Sequence, residues 1–441
     1  MSKANILYIH SHDTGRYLQP YGYGIPTPNL QRLAEEGVLF RRAYCAAPTC
    51  SPSRAALLTG QSPHSAGMLG LANRGFVLGD FRQHIIHSLK GAGYTSALAG
   101  IQHLTNAHFA RGAEAIGYDR ILTTDHAEAH LRAIDFIKDA PPQPFFLTVG
   151  FFENHREFPL EHDVDPAYVS PPLPLPDRPR IRQDMANYIA MAKILDDKVG
   201  QVMSALDDAG LRDDTLVIYT TDHGIAFPGM KCNLTDAGIG VALILRGPGP
   251  FGGGKIVDAM VSHIDVFPTL CDLLDIEAPP WLQGSSMMPL LRGEADAIRD
   301  EVFAEVSYHA TYEPKRAVRS DRFKYIRRYD NRESPVLPNI DDGLTKDDYL
   351  DHGFAERAPA AEQLYDTYYD PTERDNLISD PDYAGVLGDM RARLDRWMRD
   401  TDDPLLRGPA PAPPGAVAND PDGPSPRGPL FPADSLNTRP R

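Results

Sequence analysis

The chain has 441 residues, of which 42% are hydrophobic and 24% are charged, an ordinary composition for an enzyme with a large buried core. At this length we expect one large domain and a smaller one. The net charge of −16 argues against nucleic acid or an anionic membrane as a bulk partner, because both repel an acidic surface.

The cysteines and the first residues indicate the compartment. Cys45, Cys50, Cys232 and Cys271 lack the spacing of a zinc site. The apolar run at residues 6–9 begins almost at once and is too short for a signal peptide or a membrane-spanning helix. We therefore expect a cytoplasmic protein without disulfides, and the sequence leaves a homo-oligomer open.

The first predicted strand ends in candidate metal ligands. Residues 6–9 are a short, continuous apolar run, typical of a buried parallel strand, and His12 and Asp13 follow it. Ligands in open α/β sheets collect at the carboxyl ends of strands. An imidazole such as His12 suits a transition metal, whereas a site made only of oxygen atoms suits calcium. A loop cap is the alternative role for either residue.

A cysteine stands at the predicted start of the next helix. Residues 50–60 read Cys-Ser-Pro-Ser-Arg-Ala-Ala-Leu-Leu-Thr-Gly, a polar loop that runs into good helix formers. Cys50 should lie at a helix N-terminus, where free backbone N–H groups favour an anion, with Arg54 on the same helix face. The alternative role for Cys50 is that of a buried core thiol.

This stretch resembles the signature of the type I sulfatases, which are similar in fold to alkaline phosphatases. The resemblance implies that a formylglycine-generating enzyme oxidises Cys50 to formylglycine, a change that no sequence displays. In the hydrated aldehyde, one hydroxyl attacks sulfur and the other lets the covalent ester collapse and release sulfate. Arg54 would hold that group, and the family implies one divalent metal ion, normally calcium.

The strand predicted at residues 94–99 ends in a departure from the family pattern. It is followed by Gly-Ile-Gln-His, where sulfatases usually show Gly-Lys-x-His. His103 therefore resembles the family histidine that reaches the sulfate, whereas Ile101 replaces the lysine. One positive charge is missing from the expected sulfate clamp.

The strand predicted at residues 144–152 is the strongest in the chain and leads to His155 and Arg156. His155 resembles the family histidine that protonates the leaving group. Arg156 follows it as a similar residue does in heparan N-sulfatases, where it would contact a substrate anion. Both residues are therefore expected on the substrate side of the site.

The strand predicted at residues 215–221 should complete the metal site. Asp222 and His223 follow it where sulfatases have Asp-Asn, so His223 takes the place of the asparagine. Asp222 is expected to bind the metal, and His223 adds a donor suited to Mn²⁺ or Zn²⁺. Lys231 matches the family lysine that contacts sulfate and leaving group.

The overall pattern predicts an α/β fold with a large, mixed and mostly parallel sheet between helices in residues 1–315. Alternating strands and one amphipathic helix predict a smaller antiparallel subdomain in residues 316–403. Residues 404–441 form a Pro/Gly-rich tail that either wraps around the body or is disordered unless docked.

Three functions compete for this site. The first is hydrolysis of a small anionic sulfate ester or sulfamate, on a sulfated sugar or an aryl sulfate, closest to the heparan N-sulfatases. The second is a formylglycine-dependent phosphodiesterase or phosphonate monoester hydrolase, which the Asp222-His223 doublet and the missing lysine at Ile101 favour. The third is a non-catalytic anion-binding protein, which the joint presence of Cys50, Arg54 and the other site residues disfavours.

Overall fold

The structure, a computed structural model, describes residues 3–105 and 110–437. One large sheet contains β1 (Asn5–Ser11), β2 (Val38–Tyr44), β3 (Thr95–Gly100), β4 (Arg120–Thr123), β5 (Phe145–Gly150), β6 (Thr215–Thr221), β7 (Leu243–Arg246) and β8 (Lys255–Ser262). The strand order is β4-β3-β5-β1-β6-β7-β2-β8, and in this described sheet β7 alone is antiparallel to its neighbours. The expected large, mostly parallel sheet is confirmed.

The central strands are buried on both faces, because helices cover each side of the sheet. Every residue of β1 and β6 is buried, which explains their continuous apolar runs. The helices are α1 (Pro28–Glu36), α2 (Cys50–Thr59), α3 (Ile85–Gly91), α4 (Ala110–Ile116), α5 (Ala129–Lys138), α6 (Pro179–Asp208), α7 (Asp236–Ile239), α8 (Val266–Leu274), α9 (Met288–Arg292), α10 (Leu344–Asp351), α11 (Ala384–Asp400) and α12 (Asp434–Asn437). Among these described helices, none has the length and apolar character that crossing a membrane requires.

A smaller antiparallel sheet lies beyond the large one. It contains β9 (Glu301–Tyr308), β10 (Tyr312–Ser320), β11 (Phe323–Arg328) and β12 (Glu362–Asp366), in the order β12-β11-β10-β9. The boundary expected between residues 315 and 316 falls inside β10, and the sheet already begins at Glu301. Most of β9 is buried, so its sequence reads like a strand of the large sheet.

The described part of the C-terminal tail is folded against the body. Two short strands, β13 (Val417–Asn419) and β14 (Leu430–Pro432), pair with each other. Ala410, Ala418 and Leu436 belong to the same apolar core as residues of β8 and β9. Of the two alternatives for this tail, the structure therefore shows the one that wraps around the body. Residues 438–441 lie outside the described chain.

The sheet order explains where a site can form. Four adjacent strands, β3, β5, β1 and β6, are parallel, so their carboxyl ends lie side by side at one edge. The loops that leave this edge carry seven of the residue positions singled out in the sequence: His12, Asp13, His103, His155, Arg156, Asp222 and His223. Parallel strand order, rather than sequence proximity, therefore brings the candidate residues together.

Candidate active site

Two carboxylates from neighbouring strands meet at the centre of the site. Asp13 follows β1 and Asp222 follows β6, and both are buried. The backbone amide of Asp13 donates a hydrogen bond to Asp222 Oδ1 (2.9 Å). Asp13 adopts a positive φ of 43°, a conformation that non-glycine residues rarely take and that often marks functional loops.

Two histidines face these carboxylates. His12 Nδ1 lies 3.1 Å from Asp222 Oδ2, and His223 Nε2 lies 3.4 Å from Asp13 Oδ1. His223 Nδ1 donates to the Gly224 carbonyl (2.9 Å), so Nε2 is the ring atom that faces the acids. Burial and the nearby Arg54 hold the pKa of His12 well below its ordinary value, so the His12 imidazole is neutral.

The donor set fits a divalent cation. The ligand atoms of His12, Asp13, Cys50 and Asp222 all lie within 4.8 Å of one another. In the described chain, His12 Nδ1 and Asp13 Oδ1 are buried and make no hydrogen bond, which is costly unless another partner satisfies them. Carboxylate and neutral imidazole are both established metal donors.

Cys50 lies beside this cluster, as the first residue of α2. Its Sγ is 3.3 Å from His223 Nε2, and the residue is 1% exposed. Burial raises the pKa of the Cys50 thiol well above its ordinary value. The expected helix N-terminus is thus confirmed, and the residue as a thiol is a poor nucleophile at neutral pH.

Arg54 joins the helix of Cys50 to the ends of the strands. Its Nη2 donates to Asp222 Oδ2 (2.9 Å) and to the Ser11 carbonyl (3.1 Å), and its Nη1 contacts His10 Nδ1. Burial by itself raises the pKa of Asp222, but His223 and Arg54 outweigh it, and that pKa lies well below its ordinary value. Asp222 is therefore ionised at neutral pH.

Lys231 is a buried cation between two carboxylates. Its Nζ donates to Asp13 Oδ2 (2.9 Å) and lies 2.9 Å from Asp341 Oδ2. Burial lowers the pKa of Lys231, but Asp13 and Asp341 raise it by more, so the lysine stays charged. The structure thus brings Lys231 to the acids of the cluster, its expected contact with sulfate and leaving group stays a prediction, and Asp341 was not expected.

His103 and His155 border the cluster on the side of His12. Their rings lie 5.7 Å and 5.4 Å from the His12 ring, measured between centroids. His155 Nδ1 donates to the Arg156 carbonyl (2.6 Å), which leaves Nε2 for another partner. Burial lowers the pKa of His103 to about 3, so His103 is neutral at physiological pH.

The structure places Arg156 outside this cluster. Its guanidinium forms a two-pronged ion pair with Asp184 (2.8 and 2.7 Å), and its Nε donates to the Ala226 carbonyl (2.8 Å). Arg156 and Asp184 line a cavity of about 300 Å³ together with Phe158 and Gly343. These contacts hold the loop that carries His155, and the expected contact with a substrate anion stays a prediction.

Sequence reasoning missed three polar residues at or near the site. Asp341 comes from a loop after the large sheet that no strand end or motif signals, whereas His309 directly follows β9 of the smaller, antiparallel sheet. Asn154 is fully buried next to His155, and its amide has no hydrogen-bond partner in the described chain. Its place two residues after an apolar run was the only available signal.

Two family models match the chain. One described as Sulfatase matches residues 4–276, and one described as N-sulphoglucosamine sulphohydrolase, C-terminal, matches residues 231–347. Human N-sulphoglucosamine sulphohydrolase is 30% identical over 475 residues, and the alignment covers 92% of this chain and 92% of the human protein. The similarity therefore includes both the large and the smaller sheet.

Solved structures show the same architecture. A 2-O GAG sulfatase has a TM-score of 0.72 at 23% identity, with 96% of this chain and 99% of that chain covered. The phosphonate monoester hydrolase of Agrobacterium radiobacter has a TM-score of 0.71 at 20% identity, with 90% and 96% covered. At these identities the likeness shows a shared fold.

Proposed function

Because this chain belongs to the sulfatase family and is a sulfuric ester hydrolase, we propose that it removes sulfate from sulfated sugars, N-linked sulfate included, with a formylglycine made from Cys50. One observation carries the proposal: Cys50, Asp13, Asp222 and His12 present their ligand atoms within 4.8 Å of one another. The name of the human relative supports an N-sulfated amino sugar as the substrate.

Conversion of Cys50 to formylglycine would provide a nucleophile where the buried thiol is a poor one. A buried thiol with a raised pKa supplies little thiolate, whereas a hydrated aldehyde supplies hydroxyl groups at the same position. A formylglycine-generating enzyme is the partner that this conversion requires. A divalent metal at Asp13, Asp222, His223 and His12 would lower the pKa of that hydroxyl and polarise the sulfate.

The other side chains of the site balance the negative charge of the transferring sulfate and supply a proton to the leaving group. Arg54 holds Asp222 ionised and in place through its 2.9 Å hydrogen bond, and Lys231 offsets the charge of the transferring sulfate. His155 donates the proton to the leaving group, because its Nδ1 is committed to a backbone carbonyl and its Nε2 is not. His103, neutral and buried, assists at the sulfate.

For the metal, we propose a transition ion such as Mn²⁺ or Zn²⁺ rather than the calcium usual in the family. Two imidazoles accompany two carboxylates, and nitrogen donors favour these borderline ions over calcium. The test is metal content by elemental mass spectrometry after dialysis against equal concentrations of Ca²⁺, Mn²⁺ and Zn²⁺. Retention of calcium alone would contradict the assignment.

Phosphonate or phosphodiester hydrolysis is the second candidate. His223 in place of asparagine favours it, and Ile101 in place of lysine is compatible with it, because a phosphodiester or phosphonate monoester carries a single negative charge, as a sulfate ester does. The deciding experiment measures kcat/KM on glucosamine N-sulfate, 4-nitrophenyl sulfate and a phenylphosphonate monoester, with protein coexpressed with the maturation enzyme. We expect the sulfur substrates to be preferred, and preference for the phosphonate would reverse the order.

Two controls accompany that assay. Peptide mass analysis should show an aldehyde in place of the thiol at position 50. Cys50→Ala should reduce kcat by more than about a hundredfold on whichever substrate is turned over. An unmodified thiol together with full activity would contradict the formylglycine proposal.

A further inference from the structure

Asp341 is a carboxylate that the smaller sheet region adds to the active site. It lies 2.9 Å from Lys231 Nζ, on the same ammonium group that contacts Asp13 at 2.9 Å. The Asp341 side chain is 16% exposed, whereas Lys231 is 3% exposed, so Asp341 lies nearer to solvent than the cation it pairs with. Lys231 therefore separates the acid of the metal cluster from a second acid.

The loop of Asp341 is firmly held. Asn339 Oδ1 accepts a hydrogen bond from the Thr311 amide (3.0 Å), and Asn339 Nδ2 donates to Glu313 Oε2 (3.0 Å). Lys346 Nζ donates to the carbonyls of residues 337 and 340, at 3.0 and 2.8 Å. The carboxylate is thus fixed at Lys231 by both neighbouring segments of the chain.

The contact of Asp341 with Lys231 (2.9 Å) puts it on the leaving-group side, because Lys231 matches the family lysine that contacts sulfate and leaving group. Burial raises the pKa of Asp341, but Lys231, His155 and His309 lower it by more, so it is ionised at neutral pH. His155 is the proton donor assigned above. His309 Nδ1 is buried and makes no hydrogen bond in the described chain, so this side of Lys231 still has an open polar contact.

We propose that Asp341 is a specificity-determining residue that favours a nitrogen leaving group over an oxygen leaving group. This inference rests on the proposed sulfatase function. In sulfamate cleavage the basic nitrogen takes a proton from His155 on its lone pair and becomes positively charged; the deprotonated hydroxyl oxygen at position 50 then bonds to sulfur, the S–N bond breaks, and its electron pair returns to nitrogen to leave a neutral amine. A carboxylate stabilises the positive charge on nitrogen before that bond is fully broken.

In ester cleavage the charge has the opposite sign. The S–O bond breaks with its electron pair on oxygen, and the oxygen gains negative charge until it is protonated. A fixed carboxylate such as Asp341 opposes that change, and Lys231 must offset the negative charge of Asp341 as well as that of the leaving oxygen. The same residue thus assists one reaction and hinders the other.

The test compares Asp341→Asn with the metal-loaded, converted wild-type enzyme. We measure kcat/KM for glucosamine N-sulfate and for 4-nitrophenyl sulfate on the same preparations. The ratio of the first to the second should fall by about tenfold or more, a change of about 1.4 kcal/mol in relative transition-state stabilisation. Asp341→Glu, which keeps the charge, should stay closer to the wild-type ratio.

Asp342→Asn is the matched control, because Asp342 is on the same loop but pairs with Lys346 (2.8 Å) and Ser425. Its ratio should equal that of the wild type. An equal fall on both substrates in Asp341→Asn would mean that Asp341 only positions Lys231, and would overturn the inference. A wild type that cleaves aryl sulfate but not N-sulfate would overturn it too, whereas a wild type inactive on both would refute the proposed function itself.

Discussion

Two buried clusters of histidine and carboxylate occur in the described chain, and they differ in how their charges are satisfied. In the cluster around Cys50, His12 Nδ1 and Asp13 Oδ1 make no hydrogen bond. The second, which we call the Arg316 cluster, contains His64, Glu305, Arg316 and Asp403. The ligand-type atoms of His64, Glu305 and Asp403 also lie close enough together to suit a metal ion.

In the Arg316 cluster, however, the carboxylates are already occupied. Glu305 Oε1 and Oε2 accept from the backbone and ring of His64, each at 2.7 Å. Arg316 donates to both oxygens of Asp403, at 2.6 and 3.1 Å. Closeness of ligand-type atoms therefore does not identify a site. In the described chain, a buried carboxylate oxygen without a partner, Asp13 Oδ1, distinguishes the cluster around Cys50, whereas in the Arg316 cluster only the ring atom His64 Nε2 lacks one.

The largest effect should come from Asp13→Asn, which removes charge from the unsatisfied cluster. We expect kcat to fall by about a thousandfold or more, because the cation loses one carboxylate. Lys231 keeps Asp341 as a partner, so thermal unfolding should change little. Steady-state kinetics and calorimetry test this, and Asp403→Asn, from the Arg316 cluster, should keep the kcat of the wild type.

Next in size is Arg316→Met, which removes the cation of the satisfied cluster. Glu305 and Asp403 would be left as buried carboxylates without their arginine, and we expect the free energy of unfolding to drop by about 3–5 kcal/mol. Denaturant unfolding measures the change. A loss below about 1 kcal/mol would show that this cluster is not structural.

A smaller change is expected from His12→Asp, which makes the donor set richer in oxygen. The preference between Mn²⁺ and Ca²⁺ should shift toward calcium by about tenfold, because hard cations prefer carboxylate oxygens. Competitive metal binding followed by elemental analysis gives the ratio. His84→Asn, at a buried histidine that caps α3, is the control and should leave the ratio unchanged.

The smallest effect concerns acid stability. Burial raises the pKa of Asp403, but Arg316 lowers it by more, so the folded pKa lies below the ordinary value. A depressed pKa adds stability that is present above about pH 4 and is lost as the pH falls further. Below about pH 4 the wild type should therefore lose about 1 kcal/mol more than Asp403→Asn, measured by denaturant unfolding at successive pH values. Parallel pH curves would contradict this.

The large sheet was predictable because its strands are short apolar runs with polar ends. Parallel order then brings the ends of β3, β5, β1 and β6 together, and the side chains of His12, Asp13, His155 and Asp222 follow from it. The Cys50 helix was equally clear from its motif. Local pattern was enough where a residue followed one of these parallel strands, but it did not reveal His309, which follows the antiparallel strand β9.

Long-range partners were not predictable. Asp341 reaches Lys231 from a loop 110 positions later, and it is fixed there by contacts that no local pattern encodes. The start of the smaller sheet was missed for a related reason, since the burial of β9 gives it the sequence of a core strand. The ion pair between Arg156 and Asp184 was missed for the same reason, because Asp184 is on α6 and only the folded chain brings α6 next to Arg156.

The complete burial of α2 sets an order of events. All ten of its residues, Cys50 included, are enclosed in the finished protein. The proposed conversion of Cys50 therefore has to come before folding, because a second enzyme could reach that side chain only while the polypeptide is still open. Protein that folds before this conversion would keep Cys50 as a thiol. Unfolding and refolding such a sample without the second enzyme would not produce activity.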